Sequence, residues 1–377
     1  MSEKIHIHRG LKGVYFDRSG TSHIDGRAGT LSYRGYSIHD LAENSTFEET
    51  AYLLLHGELP DKAQLGAFDS QLKDARRLPS EIYTIIETIK QAHPMDVLRT
   101  AVSALAGFDA DVNDNSRSAN LEKGIRLTSQ VPMIVCAHHR IRSGLEPVPA
   151  SDTLGHAGNF LYMLSGEKPS DDAAKLMDLD MLLHAEHGAN ASSFTARVVA
   201  GTQANIHAAV TAAIAALSGP AHGGAAEDVM HMAHEVGNPE NAVAYVKRKR
   251  KNREAIMGFG HRVYRAEDPR ARHMKAGVER LSREKGEPQW YEILQSLVEA
   301  MKPYSRLGVN VNVDFYAGVV YYLNGIPEDL FIPIFAIGRV PGWTIQVIEQ
   351  FEQNILIRPL TEYNGPAPRD YVPLDRR

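Results

Sequence analysis

The chain has 377 residues, of which 43% are hydrophobic and 23% are charged, and its formal net charge is −5 at pH 7. This composition is typical of a globular protein with room for two or more buried cores, and the acidic excess argues against a dedicated nucleic-acid-binding protein. Cys136 is the only cysteine, so no intramolecular disulfide can form and a reducing, cytoplasmic location is expected.

The hydropathy pattern predicts neither export nor membrane insertion. The first ten residues, MSEKIHIHRG, lack the apolar run of a signal peptide. A transmembrane helix needs about 20 apolar residues in succession. The nearest candidate, residues 191–217, is interrupted by Arg197, Gln203, Asn205 and His207, so no membrane span is expected.

The first elements predicted along the chain are strands. Over residues 10–36, β-type residues bounded by glycines predict short strands and turns, and no strand-rich region is expected after them. The pattern then becomes helical, because Ser45-Thr-Phe-Glu48 matches a capping box and Gly57 and Pro60 end the helix that follows. Later predictions, in chain order, are helices from Pro79 and from Pro94, an exposed loop over 109–120, helices over 121–142 and 152–165, a helix from Pro169 to about His187, and a helix over 191–217.

These patterns together predict a mainly α fold. Regular alternation of strands and helices is absent, as is a Gly-x-Gly-x-x-Gly motif, so a doubly wound α/β fold is not expected. The stretch 191–217 holds ten alanines, whose small side chains predict one long helix, either central and buried or at a subunit contact. Ser218-Gly219-Pro220 is expected to end this helix, with Gly219 suited to a left-handed cap.

A possible catalytic histidine follows that helix. His222 lies in Gly219-Pro-Ala-His-Gly-Gly-Ala, where small neighbours allow a ligand or another backbone to approach closely. A loop histidine at a helix end is the ordinary alternative. Two later residues favour the functional interpretation: His261, at the end of a Gly-Phe-Gly sequence, and Asp314, in Asn-Val-Asp-Phe-Tyr. Two histidines and a carboxylate can carry out general acid–base chemistry near neutral pH.

Three arginines occupy positions where an anion could bind. Arg270, Arg339 and Arg358 lie beside proline or glycine, at predicted ends of elements, where functional groups are often placed. Arginine recognises carboxylates through two parallel hydrogen bonds. Each of the three could instead be a structural salt-bridge arginine.

The basic stretch 247–253, which includes Lys247 and Lys249, has two interpretations. It is either a solvated helix face or a patch that binds phosphate groups. Its position just ahead of Met257-Gly-Phe-Gly-His261 favours the phosphate interpretation, because the backbone of a loop with two glycines can lie against a flat ligand.

Pairs of histidines three residues apart raise the question of a metal site. His184 and His187 form one pair and His231 and His234 the other, each on one helical face. Neither matches the His-Glu-x-x-His zinc pattern and there is no cysteine cluster, so a core or surface histidine is the better interpretation of His184, His231 and His234, and no bound metal is expected. Walker, nucleophile-elbow and kinase motifs are also absent.

A series of short segments resembles the citrate synthase family in its shorter bacterial and archaeal form. They are Ile24-Asp-Gly, Tyr33-Arg-Gly-Tyr, Phe47-Glu-Glu, His93-Pro-Met-Asp, His184-Ala-Glu-His-Gly-Ala-Asn-Ala-Ser, Gly219-Pro-Ala-His-Gly-Gly-Ala, Met257-Gly-Phe-Gly-His-Arg-Val-Tyr, Asp268-Pro-Arg, Asn312-Val-Asp-Phe-Tyr, Gly342-Trp and Ile357-Arg-Pro. They follow the family's order over nearly the whole chain. Each segment alone is weak, but the ordered set is very specific.

This resemblance implies a mainly α homodimer with two domains per subunit. The large domain would comprise residues 1–218 and 323–377, and a small domain over 219–322 would close over it to exclude water. The implied reaction joins acetyl-CoA, oxaloacetate and water into citrate and CoA through an enol or enolate and a citryl-CoA intermediate. Acetyl-CoA is then a co-substrate, and no cofactor, metal, nucleic acid or membrane is expected to be bound.

The resemblance also implies residue roles. Asp314 resembles the base that takes a methyl proton, His222 the donor at the thioester oxygen, and His261 the group that polarises and protonates the oxaloacetate carbonyl. The residues resembling oxaloacetate ligands are His187, Arg270, Arg339 and Arg358, the last reaching into the partner subunit's site. The residues expected to bind CoA are Met257, Gly258, Phe259, Gly260, Arg262 and Arg265, with Lys247 and Lys249 from the basic stretch.

Three positions depart from the family pattern, and three other functions remain to be considered. Ala189, Ala221 and Gln346 stand where the family commonly has Phe, a larger apolar residue and His, respectively.

The nearest alternative function is that of 2-methylcitrate synthase, which keeps the same catalytic set and uses propionyl-CoA. One extra methylene changes the binding free energy by only about 1–3 kcal/mol. A binding-only relative and a histidine-metal hydrolase are less favoured. The sequence leaves open the acyl preference, the regulators, assembly beyond a dimer and the temperature optimum.

Overall fold

The computed structural model describes residues 6–377. Over this part of the chain it has sixteen α-helices and one small sheet, which confirms the prediction of a mainly α fold. The expectation that the first ten residues carry no export signal rests partly on residues 1–5, which lie outside the described residues.

The sheet is an antiparallel meander near the start of the chain. It comprises β1 (Ser22–Asp25), β2 (Thr30–Tyr33) and β3 (Tyr36–Ser37), in that order. Gly29 and Gly35, with φ of 69° and 89°, form the turns between them. The strands were expected within residues 10–36, and the third extends one residue further.

The helices that follow fall into two groups along the chain. The first group is α1 (Ile38–Asn44), α2 (Phe47–His56), α3 (Lys62–Asp74), α4 (Ser80–Thr88), α5 (Pro94–Leu105), α6 (Arg117–Arg142), α7 (His156–Ser165) and α8 (Asp171–His184). The second group is α9 (Ala191–Gly201), α10 (Ile206–Leu217), α11 (Ala225–Val236), α12 (Ala242–Lys251), α13 (Ala271–Glu284), α14 (Gln289–Met301), α15 (Asp314–Leu323) and α16 (Phe331–Glu352). The predicted starts at Pro79 and Pro94 are confirmed to within one residue.

The start of α2 differs from its prediction by one residue. The cap is Thr46, whose side chain accepts the N–H of Glu49, and not Ser45. With Thr46 as the cap, Glu48 is the second residue of the helix and not the third, as a capping box requires; its carboxylate accepts the N–H of His156, at 2.6 Å. A capping box does form at Asp61, at the start of α3, a helix that the sequence analysis missed because its exposed positions hide the apolar spacing.

The alanine-rich stretch 191–217 is two helices, so the prediction of one long helix is wrong. Gln203 has a left-handed φ of 67°, and the Asn205 side chain caps α10 by accepting the N–H of Ala208 at 3.0 Å. A strong N-cap residue inside an alanine-rich run starts a new helix instead of continuing the old one. The expected left-handed cap at Gly219 is also absent, since Ser218 caps α10 in a right-handed conformation.

Helix α16 runs through the centre of the core. It packs against α6, α8, α9 and α10, and Trp343 on it is fully buried. Residues 328–352 are apolar enough to span a membrane by composition, which replaces 191–217 as the nearest candidate, but 94% of the apolar window is buried inside the protein, as in a core helix. Gly342 allows the chain after α8 to approach, because a Cβ there would lie 2.1 Å from the carbonyl oxygen of Ala185. This approach brings α16 to the residues described next.

Candidate active site

Sequence-distant loops meet beside α16. The chain after α8 carries His187, and the loop after α12 carries His261; their rings are 5.3 Å apart. The loop before His261 pairs with the segment before Asp314, through the N–H of Gly260 to the carbonyl of Asn310 at 2.7 Å and a bridge between neighbouring residues. Three predicted site residues are thereby held on linked segments.

His222 occupies the turn between α10 and α11. The backbone N–H of Ser192, which also approaches Asn190, donates to Nε2 of His222 at 3.3 Å, and the Ser192 hydroxyl lies 3.0 Å from the same nitrogen. We assign the ring proton to Nδ1 because a backbone N–H can only donate, although this N–H lies closer to Asn190 Oδ1, at 3.1 Å, and the Ser192 hydroxyl donates to that same oxygen at 2.7 Å. Burial, together with the charge of Arg339, lowers the pKa of His222 to about 4. His222 is therefore a neutral ring that can donate through Nδ1.

The opposite tautomer holds for His261. Its Nδ1 accepts the N–H groups of Val263 and Tyr264, at 3.0 and 3.1 Å, so the ring proton is on Nε2. Burial, with the nearby Arg270, lowers the pKa of His261 to about 4. The ring is therefore a neutral donor as well, and it presents the other nitrogen.

His187 is fixed by a residue that the sequence analysis did not single out. Its Nε2 lies 3.0 Å from the hydroxyl of Tyr264, in the Gly-His-Arg-Val-Tyr segment. Burial, with Arg270, lowers the pKa of His187 well below its usual value, and burial raises that of Tyr264. His187 is 7% exposed, so it lies at the boundary between the core and the site.

Arg270 forms a buried ion pair. Its Nε and Nη2 donate to the two carboxylate oxygens of Asp268, at 2.9 and 2.7 Å. Although burial opposes the charge of both groups, the pair keeps the pKa of Asp268 low and raises that of Arg270. One edge of the Arg270 guanidinium, Nε and Nη2, is therefore a structural salt bridge. Its remaining nitrogen, Nη1, makes no bond to Asp268.

Arg339 is buried and incompletely paired. Its Nε donates to the carbonyl oxygen of His184, its guanidinium lies 4.6 Å from the ring centre of Phe335, and its Nη1 has no partner among the described residues. Burial lowers the pKa of Arg339 to about 10. A buried cationic donor without a partner is costly, and a carboxylate ligand would satisfy it.

Asp314 is the first residue of α15. Within residues 6–377 its carboxylate accepts no hydrogen bond and forms no ion pair, so the oxygens remain available. Loss of solvation raises the pKa of Asp314, and the charges of His184 and Arg270 oppose the rise. A carboxylate with a raised pKa and unused oxygens suits a general base.

The residues predicted to bind CoA lie on and beside the 257–260 loop. Gly258 has a φ of 74°, and a Cβ there would lie 2.5 Å from the Phe315 ring, so this tight packing requires glycine. Arg262 and Arg265 are exposed beside the loop. In the basic stretch, Lys247 is exposed, whereas Lys249 contacts two carboxylates and so fits the solvated-face interpretation.

Arg358 is not brought to the site of its own chain. It lies in the extended segment after α16, where it is exposed. Two of the departures from the family pattern, Ala189 and Ala221, are also exposed. The third, Gln346, is buried and donates to Glu186 at 3.0 Å.

Four residues of the site were missed by sequence reasoning: Ser192, Tyr264, Glu186 and Phe335. The first three lie inside segments whose order along the chain was noted, but their contacts are distant in sequence. Ser192 is 30 residues from His222, Tyr264 is 77 from His187, and Glu186 is 160 from Gln346. Phe335 lies one turn before Arg339 on α16, a spacing that predicts a shared face.

The histidine pairs provide no metal centre among residues 6–377, where no group of three or more His, Cys, Asp or Glu side chains could hold an ion. His231 instead lies 2.8 Å from a carboxylate oxygen of Glu328. His184 is buried and its Nδ1 contacts the carbonyl oxygen of Asp180 at 2.8 Å. These contacts match the core and surface interpretations of the two residues.

Comparison with known proteins finds relatives that cover almost the whole chain. Residues 10–360 match the family model described as citrate synthase, C-terminal domain. The chain is 45% identical to citrate synthase 2 of Bacillus subtilis, over 98% of this chain and 99% of that one, and 39% identical to 2-methylcitrate synthase 2 of Corynebacterium glutamicum, over 98% of each. Citrate synthase from Pyrobaculum aerophilum has a TM-score of 0.94 at 39% identity, over 98% of this chain and 95% of that one. A ternary complex of carboxymethyl coenzyme A and oxaloacetate with the Thermoplasma acidophilum citrate synthase has a TM-score of 0.93 at 30% identity, over 99% and 100%.

Proposed function

The chain belongs to the citrate synthase family, and we propose that it condenses acetyl-CoA with oxaloacetate and water to give citrate and CoA. It is an acyltransferase of that family. Four buried or half-buried groups support the proposal: the imidazoles of His222 and His261, the carboxylate of Asp314 and the unpartnered Nη1 of Arg339. Arg339 lies close enough to His222, and Arg270 to both His261 and Asp314, for their charges to influence these groups.

The first step in this proposal is removal of a methyl proton from acetyl-CoA. The carboxylate of Asp314 takes the proton, and the C–H electron pair moves toward the thioester carbonyl, whose oxygen gains negative charge. The Nδ1–H of His222 donates to that oxygen. A thioester methyl is a very weak acid, so a donor held in place before the reaction is required, and such a donor contributes about 10²–10³ in rate.

The second step forms the carbon–carbon bond. The enol carbon attacks the ketone carbon of oxaloacetate, the carbonyl electrons move to oxygen, and the Nε2–H of His261 polarises and protonates that oxygen. His187, Arg270 and Arg339 bind the carboxylates of oxaloacetate. Water then hydrolyses the citryl thioester to citrate and CoA, a sequence of steps that requires neither a metal nor a permanently bound cofactor.

The proposal includes a homodimer with a shared active site. Arg358 is exposed on the segment after α16, and the same segment exposes Ile355, Leu360, Tyr363 and Tyr371, at 70–87%. Apolar side chains clustered on an extended terminus favour burial against another surface. We propose that the partner subunit covers them and receives Arg358 in its oxaloacetate site.

A small domain over residues 219–322 is also proposed. Helices α11, α13 and α14 pack with α15, and α12 packs with α14, which supports one unit that carries the CoA loop. Closure of this unit over the remaining helices would exclude water from the enolate.

A cytoplasmic location is part of the proposal, since the single cysteine, Cys136, is buried and free.

The acyl group is the point at which the alternative, 2-methylcitrate synthase, differs. Relatives described as citrate synthases and relatives described as 2-methylcitrate synthases both match this chain at about 40% identity, so sequence identity alone does not distinguish the two activities. The test is a steady-state assay of CoA release with oxaloacetate, comparing kcat/KM for acetyl-CoA and propionyl-CoA. A higher value for acetyl-CoA is the expected result, a higher value for propionyl-CoA would favour the alternative, and no release with either would overturn the proposal.

A further inference from the structure

A buried carboxylate that the reaction above does not use lies directly behind the oxaloacetate ligands. Glu186 is 0% exposed and precedes His187. Its Oε1 accepts the N–H of Gly188 at 2.6 Å, the Ser22 hydroxyl at 3.2 Å and the amide of Gln346 at 3.0 Å, while its Oε2 has no partner among the described residues. Oε1 therefore accepts three hydrogen bonds, and Oε2 accepts none among the described residues.

The charges around this carboxylate come from several elements. The cations are Arg339 on α16, Arg197 on α9 and Arg34 in the turn after β2. The other titratable groups are His184 and His187 on its own segment and Tyr33 on β2; burial keeps His187 and Tyr33 neutral. Arg197 is already occupied, since it bonds Asp17, Gln346 and Gln350. Arg34 likewise donates to the carbonyl of Leu54.

Arg339 is thus the cation left to balance Glu186. Within the described residues the two make no direct ion pair, yet each keeps one buried polar atom without a partner: Nη1 of Arg339 and Oε2 of Glu186. A carboxylate of oxaloacetate bound at Nη1 would neutralise the charge of Arg339. Glu186 would then be a buried anion without a compensating cation, a state that costs free energy.

Resting on the proposed function, we propose that Glu186 is a positioning residue that takes up a proton when oxaloacetate binds. When Glu186 is ionised, its negative charge compensates the positive charge of Arg339 in the empty site. When it is protonated, the carboxylate of the bound substrate compensates that charge instead. In both states its Oε1 can accept from Gly188, which holds the turn that carries His187. No bond to the substrate is required of it.

The electrostatic environment is suited to such a change near neutral pH. Burial raises the pKa of Glu186 to about 7, while Arg339 and the donors Gln346, Gly188 and Ser22 oppose the rise. The added negative charge of a bound dicarboxylate raises the pKa further, by the same kind of interaction that separates two carboxylates sharing a site. Proton uptake at pH 8 is then expected to be roughly 0.4–0.9 per site for a rise of about one to three pH units.

The experiment is calorimetric titration of the full-length enzyme with oxaloacetate, without acyl-CoA, at pH 8 in phosphate and in Tris buffer. The dependence of the binding heat on the buffer's ionisation enthalpy gives the number of protons taken up. We expect uptake in the wild type and none with Glu186→Gln, which is shaped like the protonated acid. Glu349→Gln is the matched control, because this carboxylate lies at the far end of the same network and should leave the uptake unchanged.

Affinity provides a second readout that a merely structural role would not move. From about pH 7 up to the raised pKa of the complex, the wild-type affinity for oxaloacetate should fall by up to about tenfold per pH unit, and the Glu186→Gln affinity should stay level. If Glu186→Gln does not fold, Gln346→Leu removes one donor from Oε1, raises the pKa of Glu186 and should move the uptake profile to higher pH.

The possible results separate this inference from the function on which it rests. Normal CoA release and oxaloacetate binding with no proton uptake in the wild type would overturn the inference alone. Uptake that persists in Glu186→Gln, or a Gln346→Leu profile identical to the wild type, would overturn it as well. Absence of both oxaloacetate binding and CoA release would instead overturn the proposed function.

Discussion

The backbone N–H of Ser192 donates to Nε2 of His222, at 3.3 Å, although the two residues are 30 positions apart. Ser192 lies at the capped start of α9 and His222 in the turn before α11. Since a main-chain N–H makes this contact, the contact depends on how the helices pack and does not require the Ser192 side chain.

Ser192→Ala should therefore be much milder than His222→Ala. The alanine variant keeps the N–H and loses the hydroxyl that accepts the Trp343 indole N–H at 3.1 Å, a loss of about 1 kcal/mol, or roughly tenfold at most in kcat. His222→Ala should lose about 10²–10³ in kcat, as for an oxyanion donor. Steady-state CoA release compares them. Equal losses would mean that the serine hydroxyl, and not its backbone, sets the state of His222.

Asp314→Asn should abolish most turnover without preventing oxaloacetate binding. The amide cannot take a proton from acetyl-CoA, so kcat should fall by about 10²–10⁴. Glu299→Gln, an exposed substitution on a neighbouring helix, is the control and should be neutral. The measurements are kcat and the oxaloacetate Kd by calorimetry, and turnover close to that of the wild type would reject Asp314 as the base.

The pH profile should contain one acid limb. The base must be ionised, and because burial raises the pKa of Asp314, activity should be present above that pKa and fall about tenfold per pH unit below it. Burial lowers the pKa of His222 and of His261 to about 4, so neither ring should titrate between about pH 6 and 8. The measurement is kcat/KM for acetyl-CoA against pH at saturating oxaloacetate. A loss of activity around pH 6.5 that disappears when His222 or His261 is substituted would contradict this assignment.

Arg358→Ala should weaken oxaloacetate binding if the segment after α16 reaches the partner's site. Loss of one charge-assisted contact costs about 1.5–3 kcal/mol, or roughly 10–100-fold in KM for oxaloacetate. Arg369→Ala, on the same exposed segment, is the matched control and should leave KM unchanged. Light scattering checks the dimer in both variants. A monomeric wild type with ordinary affinity would argue against the shared site.

Gly342→Ala should be strongly destabilising. The added Cβ would lie 2.1 Å from the carbonyl oxygen of Ala185 and 2.6 Å from Oε2 of Glu186, so α16 or the segment that carries His187 must shift. Overpacking of this kind costs about 1–3 kcal/mol or more in unfolding free energy, and KM for oxaloacetate should rise with it. Gly66→Ala, in exposed space on α3, is the control and should stabilise by about 0.5–1 kcal/mol. Urea unfolding compares the two, and equal stabilities would exclude the close approach.

Local signals in the sequence were sufficient for the fold class, and the family resemblance of its ordered segments proposed most of the candidate site residues. The starts near Pro79 and Pro94 and the glycine-bounded strands depend on nearest neighbours along the chain, which a single sequence contains. The same locality explains the error over residues 191–217. Alanine content favours a helix throughout, but the Asn205 cap breaks it in two, and a choice between adjacent local signals of similar strength is settled by packing.

The chemical states of those residues were decided only by the tertiary structure. Ser192 and His222, Gln346 and Glu186, and His184 and Arg339 make contacts across 30 to 160 positions, which no local pattern encodes. Burial likewise depends on all the helices together, and it is burial that makes His222 and His261 neutral and raises the pKa of Asp314. The sequence by itself determined which groups are present in the site, and the packing of α8, α9 and α16 determined which of them are paired, because the energy of a charge or a donor depends on the partners that the fold places beside it.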